Sequence, residues 1–168
     1  QAPDITLSNI SEQSLNLAVI SSYCGTTSNA TFNPNPIKSS YPHYFASNND
    51  EVLALAVKAN YIPIYLDLEI SECPILSCYQ AKALKIIPHT FNDLEKYNYL
   101  FWRDDKISIN LSRIHEFVRL VDKDNSSMAL RAHDFLHGNI LFELTEAMDQ
   151  ERYRRQRHKY IAYVTEEV

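Results

Sequence analysis

Four charged residues, Arg103 to Lys106, follow directly on the apolar and aromatic run 97–102, YNYLFW. Adjacent carboxylates such as Asp104 and Asp105 supply the oxygen ligands that Mg2+ and Mn2+ prefer, and both ions keep coordination positions open for phosphate oxygens. Lys106 adds a fixed positive charge that suits a phosphate. The segment therefore predicts a metal and phosphate site at the end of a strand, although a solvated surface turn accounts for the same four charges.

Further polar groups occur at the ends of two other predicted elements. Ser21, Ser22 and Tyr23 end the apolar run 15–23, and Lys82, Lys85 and His89 precede the strand that carries the acids. The carboxyl ends of parallel strands meet at one edge of a sheet, so these groups are candidates for binding an anionic ligand there. For the lysines the alternative is a helix end whose cations complement the helix dipole, before Pro88 ends the helix.

The segment RAHDFLHGN contains His133 and His137 at i, i+4, a spacing that suits zinc on one face of a helix. No third ligand with matching spacing is evident, and a histidine at the start of a helix is the simpler interpretation. His133 is still a candidate for joining a carboxylate at a mixed metal and diphosphate site.

Strand-like and helix-like patterns alternate along the chain. Runs typical of strands cover 15–23, 43–47, 61–68, 97–103 and 106–111; helical spacing covers 49–60, 74–87, 112–121 and a long segment after His133. Asn48 or Asn49 is the expected N-cap of the first helix. This order predicts an α/β fold with a mostly parallel sheet flanked by helices, preceded by a polar arm over 1–14.

Composition excludes several classes of protein. The chain has 168 residues, 45% of them hydrophobic and 22% charged, which is typical of one globular domain. The net charge of −5 argues against nucleic acid as a partner, and no apolar run has the roughly 18–20 residues of a membrane span. With only two glycines, the glycine-rich phosphate loops of nucleotide-binding enzymes are absent. Three cysteines do not suggest a disulfide framework: reduced thiols are expected, with a Cys73–Cys78 pair as the alternative.

Several of these motifs together resemble a known family. The block AKALKIIPHTF (81–91) followed by YNYLFWRDDKI (97–107) is similar to the central block of small GT-A-type glycosyltransferases, those of a plant and bacterial family and those of giant algal viruses. Weaker similarity extends to LNLAVISSYCG, to YPHYFASNN, and to LRAHDFLHGNILFELTEAM with RRQRHKYIA. The resemblance covers about 15–163 and implies a Rossmann-like GT-A domain over 15–168, which is compatible with being part of a longer protein.

The resemblance also implies an activity and a set of residues for it. It implies transfer of a sugar from a nucleoside-diphosphate sugar, most readily a UDP-sugar, to a hydroxyl on a glycan or glycoprotein, assisted by Mn2+ or Mg2+. The metal ligands are then Asp104, Asp105 and His133; Asp105 and Glu143 are catalytic, with His133 as a further candidate base; and the donor is bound by Ser21, Ser22, Tyr23, Lys82, Lys85, His89, Asp104 and Lys106.

Two departures from the family's pattern affect these expectations. The family's Asp-x-Asp motif has its second acid where this chain has Lys106, and a lysine cannot bind the metal. The chain also ends at Val168, earlier than such domains usually do. The alternatives are therefore a non-catalytic interaction module of the same fold and a metal-dependent phosphohydrolase. Localisation stays open: a cytoplasmic location is favoured, and the resemblance to the family's plant members makes the Golgi lumen the alternative. The four N-x-[ST] sequons would be glycosylation acceptors in a secretory lumen, but such motifs are common by chance in a chain rich in Asn and Ser.

Overall fold

The structure is a computed structural model that describes residues 15–27, 40–104 and 113–128, together with the single positions 150, 154, 158, 161 and 162. In chain order its elements are β1 (Leu17–Ser22), β2 (His43–Ser47), α1 (Asp50–Lys58), β3 (Ile62–Tyr65), α2 (Pro74–Ile86), a 3₁₀ turn (Pro88–Thr90), β4 (Tyr99–Trp102) and α3 (Ile114–Lys123).

The four described strands form one parallel sheet in the order β3-β2-β1-β4. Because the chain adds β2 and β3 on one side of β1 and then adds β4 on the other, the sheet is wound in both directions from β1. Crossovers between parallel strands usually contain a helix; here α1 connects β2 to β3 and α2 connects β3 to β4, and the two helices pack on opposite faces of the sheet. The α/β class and the parallel pairing predicted from the sequence are confirmed.

Each face of the sheet packs against its own helices. On one face, β-strand residues such as Ile20, Ala46 and Ile64 form a buried cluster with Leu84 of α2. On the other face, Phe45 packs with α1, and Leu17 and Val19 pack with α3. The alternation of side chains along each strand therefore sends neighbouring residues into separate cores.

The element boundaries differ from the sequence-based prediction mainly at β3. The predicted strand covered 61–68, but β3 ends at Tyr65. The Leu66 N–H still donates to the Ser47 carbonyl, and the Leu68 N–H then donates back to the Leu66 carbonyl. This local hydrogen bond turns the chain away from β2 and so ends the strand. The predicted polar arm (1–14), the strand over 106–111 and the segment immediately after His133 lie outside the described residues.

The segment after β1 is attached to the end of β2 by two buried asparagines. Asn49 is the N-cap of α1: its Oδ1 accepts from the Glu51 N–H at 2.9 Å, while its Nδ2 donates to the Gly25 carbonyl at 2.9 Å. The Asn48 Oδ1 accepts from the Gly25 N–H at 3.1 Å, and its Nδ2 donates to the Glu69 carbonyl. Gly25 itself has φ +118°, a conformation that side chains disfavour.

None of the three cysteines, all of which lie among the described residues, forms a disulfide, as expected. Cys24 is buried, and this burial raises the pKa of its thiol to about 11. Cys73 is exposed at the start of α2 and Cys78 lies within that helix, and no disulfide joins them in this structure.

We expect Asn49→Ala to lower the free energy of unfolding by about 1–3 kcal/mol, since it removes both the helix cap and the bond to the Gly25 carbonyl. Urea denaturation measures this change. Asn92→Ala is the matched control: Asn92 is exposed, and its replacement should change stability by less than about 0.5 kcal/mol. Equal stability of the two variants would contradict the role given to Asn49.

Candidate functional site at the β1–β4 edge

The candidate site lies where the winding direction of the sheet changes. β1 pairs with β2 on one side and with β4 on the other, and the carboxyl ends of β1 and β4 are at Ser22 and Trp102. In doubly wound sheets, ligands bind outside the carboxyl ends of the strands at this kind of position. Ser21 and Ser22 end β1, Tyr23 directly follows them, and Asp104 lies two residues after the end of β4.

Strand alternation divides the charged segment between the two faces of the sheet. Trp102 and Asp104 are two residues apart and lie on the α2 side, where the indole Nε1–H donates to the Asp104 Oδ1 at 3.0 Å. Arg103, between them, points to the opposite face and is only 2% exposed. Of the two described charged residues in the segment, Arg103 is therefore buried and Asp104 is exposed. The segment is thus not a surface turn in which every charge is solvated.

The buried Arg103 is held by several interactions. Its guanidinium carbon lies 5.9 Å from the centroid of the Tyr61 ring, within cation–π range, and its Nε donates to the Asp104 carbonyl at 3.2 Å. These contacts offset part of the large cost of removing a cation from water. The side chain thereby also fixes the backbone of the residue that carries the exposed carboxylate.

Ser21 extends the pairing of β1 and β4 beyond their last ladder pair, Ile20 and Trp102. The Arg103 N–H donates to the Ile20 carbonyl at 2.9 Å, and the buried Ser21 hydroxyl donates to the Arg103 carbonyl at 2.7 Å. The hydroxyl of Ser22 donates to the Ala81 carbonyl of α2. Both serines were predicted to bind a nucleotide sugar; in this structure their hydroxyl protons are directed to backbone carbonyls, which makes them supports of the edge.

Lys85 and Asp104 are brought together through Trp102. The Lys85 Nζ lies 5.6 Å from the centroid of the Trp102 ring, and the edge of the same ring bonds the Asp104 carboxylate. Both charged side chains are exposed, whereas the ring is half-buried against the core on the α2 side. An ammonium group and a carboxylate are thus presented by one aromatic side chain.

The other predicted ligand-binding residues are arranged less closely. Lys82 is exposed on α2, next to the residue that bonds Ser22, and His89 is exposed in the 3₁₀ turn after that helix. Tyr23 is half-buried at the end of β1, and its hydroxyl donates to the Thr26 carbonyl at 2.9 Å. Lys82 and Tyr23 are near elements of the edge, but no described contact joins them or His89 to Asp104.

His43 lies on the same face of the sheet as Arg103 and is 7% exposed. Its ring meets the Tyr61 ring edge to face, with centroids 6.1 Å apart. Burial, with a smaller contribution from the positive charge of Arg103, lowers the pKa of His43 to about 4. The imidazole is therefore neutral in the folded protein at ordinary pH.

Asp105, Lys106, His133 and Glu143 lie outside the described residues, so their predicted roles stay predictions. Within the described ranges, no group of three or more His, Cys, Asp or Glu side chains is arranged to hold a metal ion. The described metal candidate is Asp104, whose carboxylate is the donor type that Mg2+ and Mn2+ take. Such ions are commonly held by one or two carboxylates together with substrate phosphates, so the residue present fits the expected ion.

Sequence reasoning missed the structural importance of Arg103, Trp102 and Asn48. The signal for the first two was available, because period-two alternation along 99–104 puts Trp102 and Asp104 on one face and Arg103 on the other. The role of Asn48 depends on Gly25 and Glu69, which are 23 and 21 residues away, and no local pattern indicates such contacts.

Comparisons with protein-family models, with curated proteins and with solved structures found no match to this chain. In the part of the chain that the structure describes, no helix is both long enough and apolar enough to cross a membrane.

We expect Ser21→Ala to lower the free energy of unfolding by about 1–3 kcal/mol, because it leaves the buried Arg103 carbonyl without this donor. Ser126→Ala, at an exposed serine in the turn after α3, is the control and should be nearly neutral. Denaturant unfolding measures both, and a neutral effect of Ser21→Ala would contradict the role given to the bond.

The depressed pKa of His43 predicts a pH dependence of stability. The unfolded chain binds this proton near pH 6.5, but the folded protein binds it only near pH 4. The contribution to stability is therefore complete above pH 6.5 and is lost as the pH falls through 4, with a total on the order of 3 kcal/mol or less. His43→Leu should show a smaller decrease over this range in pH-dependent urea unfolding.

The control for this measurement is His89→Leu, which replaces an exposed histidine and should follow the wild-type curve. Carboxylate protonation affects the wild type and both variants alike, so the difference between curves isolates His43. Parallel curves for the wild type and His43→Leu would show that this histidine does not couple protonation to folding.

Proposed function

We propose that this protein is a GT-A-type glycosyltransferase that transfers a sugar from a nucleoside-diphosphate sugar to a hydroxyl acceptor with the help of Mn2+ or Mg2+. The observation that carries the proposal is the position of Asp104: it lies two residues after the end of β4, beside the end of β1, at the edge where the sheet reverses its winding. The resemblance of 81–91 and 97–107 to the family supports the same conclusion.

The charges around Asp104 suit a metal-bound diphosphate. Asp104 supplies a carboxylate oxygen for the divalent ion, and the ion, when bound, neutralises the negative charge that develops on the departing nucleoside diphosphate. Lys85 contributes a second positive charge to the phosphates from the face of the Trp102 ring. This pairing of a carboxylate with an ammonium group matches a sugar diphosphate that carries a metal ion.

The remaining roles in the proposed reaction fall to residues named from the sequence. Asp105 and His133 are proposed to complete the metal site, with Lys106 beside the donor phosphates. Deprotonation of the acceptor hydroxyl requires a general base, for which Asp105 and Glu143 are proposed. UDP-sugars are the proposed donors, and glycans or glycoproteins the proposed acceptors.

Donor binding tests the proposal directly. In calorimetric titrations with UDP-sugars, we expect binding with Mn2+ and loss of binding with EDTA. Asp104→Asn should weaken the metal-dependent binding by about tenfold or more, equivalent to roughly 1.4 kcal/mol, because it removes the ligand charge but keeps the side-chain size. Asp93→Asn, at an exposed acid between α2 and β4, is the matched control and should bind as the wild type does.

Two outcomes would overturn the proposal. If no nucleoside diphosphate or its sugar binds with or without metal, the protein is not a nucleotide-sugar enzyme. If phosphate is released without transfer to any acceptor, and the release depends on Asp104, the protein is a phosphohydrolase.

A further inference from the structure

Trp102 is the only tryptophan of the chain, and it contacts two charged side chains at the candidate site. Its single polar atom, the Nε1–H, donates to the Asp104 Oδ1 at 3.0 Å, and its ring lies under the Lys85 ammonium. The ring is half-buried and packs against the hydrophobic core on the α2 side. A side chain anchored in the core is thus joined to two exposed charges.

We propose that Trp102 is a positioning residue that holds the Asp104 carboxylate in one orientation for a divalent cation and keeps Lys85 apart from it. The proposal rests on the proposed function, because it assigns a role within the same metal and diphosphate site. It adds a residue that the chemistry of carboxylates and lysines alone does not indicate.

The indole hydrogen bond limits the freedom of an otherwise exposed carboxylate. Indole nitrogen is a donor only, so the Asp104 Oδ1 is the acceptor in this contact. One oxygen of Asp104 is thereby fixed, and no described residue bonds to the Oδ2. The entropy cost of ordering the Asp104 side chain is therefore incurred when the protein folds and not when a metal binds. Hydrogen bonds to metal ligands of this kind commonly affect metal affinity.

The backbone of Asp104 is held as firmly as its side chain. Its carbonyl accepts from the Arg103 Nε, and the preceding peptide is bonded to β1 through Ser21 and Ile20. With the main chain fixed on one side, the indole contact selects the direction of the carboxylate. Trp102 is therefore placed to determine a side-chain orientation and not merely to fill space in the core.

The ring also separates two opposite charges. Lys85 and Asp104 contact different parts of one indole, and within the described part of the chain they form no salt bridge with each other. A direct ion pair would neutralise both groups and leave neither for a ligand. With the rigid ring between them, the carboxylate is left for a cation and the ammonium for phosphate oxygens.

Because the tryptophan is unique, its indole N–H gives one resonance in a nitrogen–proton correlation spectrum of the labelled protein. We expect slow exchange of this proton with water, and exchange about tenfold faster in Asp104→Ala, which removes the acceptor. Asp93→Ala is the control and should leave the exchange rate unchanged. This measurement needs no metal or nucleotide.

The second measurement uses Mn2+ alone, with free Mn2+ followed by electron paramagnetic resonance. Trp102→Phe keeps an aromatic ring over which Lys85 can lie but removes the N–H. It should weaken Mn2+ binding by about tenfold or more, in the range measured for outer-shell partners of metal ligands. Phe91→Leu, which trims another half-buried ring of the same core cluster, controls for lost packing and should bind Mn2+ as the wild type does.

The outcomes separate this inference from the proposed function. Slow indole exchange together with the tenfold loss in Trp102→Phe supports the positioning role. Exchange as fast in the wild type as in Asp104→Ala overturns it, and so does equal Mn2+ affinity of the wild type and Trp102→Phe. If both measurements give the expected result but no nucleotide sugar binds, the positioning of a metal ligand stands and the transferase proposal fails.

Discussion

The geometry of the carboxyl edge of the sheet, where β1 and β4 end, depends on the hydrogen bonds that hold residue 103 to β1. Both backbone groups of Arg103 are bonded there, the N–H to the Ile20 carbonyl and the carbonyl to the Ser21 hydroxyl. Strand geometry therefore continues one residue beyond the last ladder pair, and the alternation of side chains continues with it. This is why Asp104 emerges on the α2 face beside Trp102. If residue 103 were not held in this way, the direction of the Asp104 side chain would not be determined by the sheet.

The burial of Arg103 has an electrostatic consequence for this edge. A cation that is 2% exposed is screened by solvent less than a surface cation, so its field extends further through the surrounding protein. Burial is the main cause of the low pKa of His43, and the charge of Arg103 adds a smaller contribution. The helix on the other face contributes the exposed Lys85. The carboxyl edge of β1 and β4 thus has a positive charge on each face of the sheet. Asp104 is linked to both charges, to Lys85 through the Trp102 ring and to Arg103 through its own carbonyl.

The parts of the fold that follow from local patterns were predictable from the sequence. Buried β-branched runs predicted the strands, the alternation of strands and helices predicted parallel pairing, and the asparagines before Asp50 predicted the cap of α1. The end of β3 was not predictable, because a hydrogen bond between Leu68 and Leu66 decides it. The partners of the Ser21 and Ser22 hydroxyls were not predictable either, since they are 82 and 59 residues away. The sequence thus predicted that Ser21 and Ser22 lie at the carboxyl edge of the sheet. Only the tertiary structure shows that their hydroxyls donate to backbone carbonyls.

Under the proposed function, the arrangement around Trp102 bears on Lys106, which stands where the resembled glycosyltransferases have the second acid of their motif. In a solvated turn each charge would be stabilised by water alone, and the position of one would not constrain the others. Here Asp104 is oriented by an indole, and an ammonium group, that of Lys85, lies on the same indole without a direct ion pair. A positive charge for the donor phosphates is therefore available from α2 and does not require Lys106. In the proposed enzyme, Lys106 would then leave one metal ligand fewer than in the resembled family, while the pairing of carboxylate and cation on which the proposed chemistry depends would be kept.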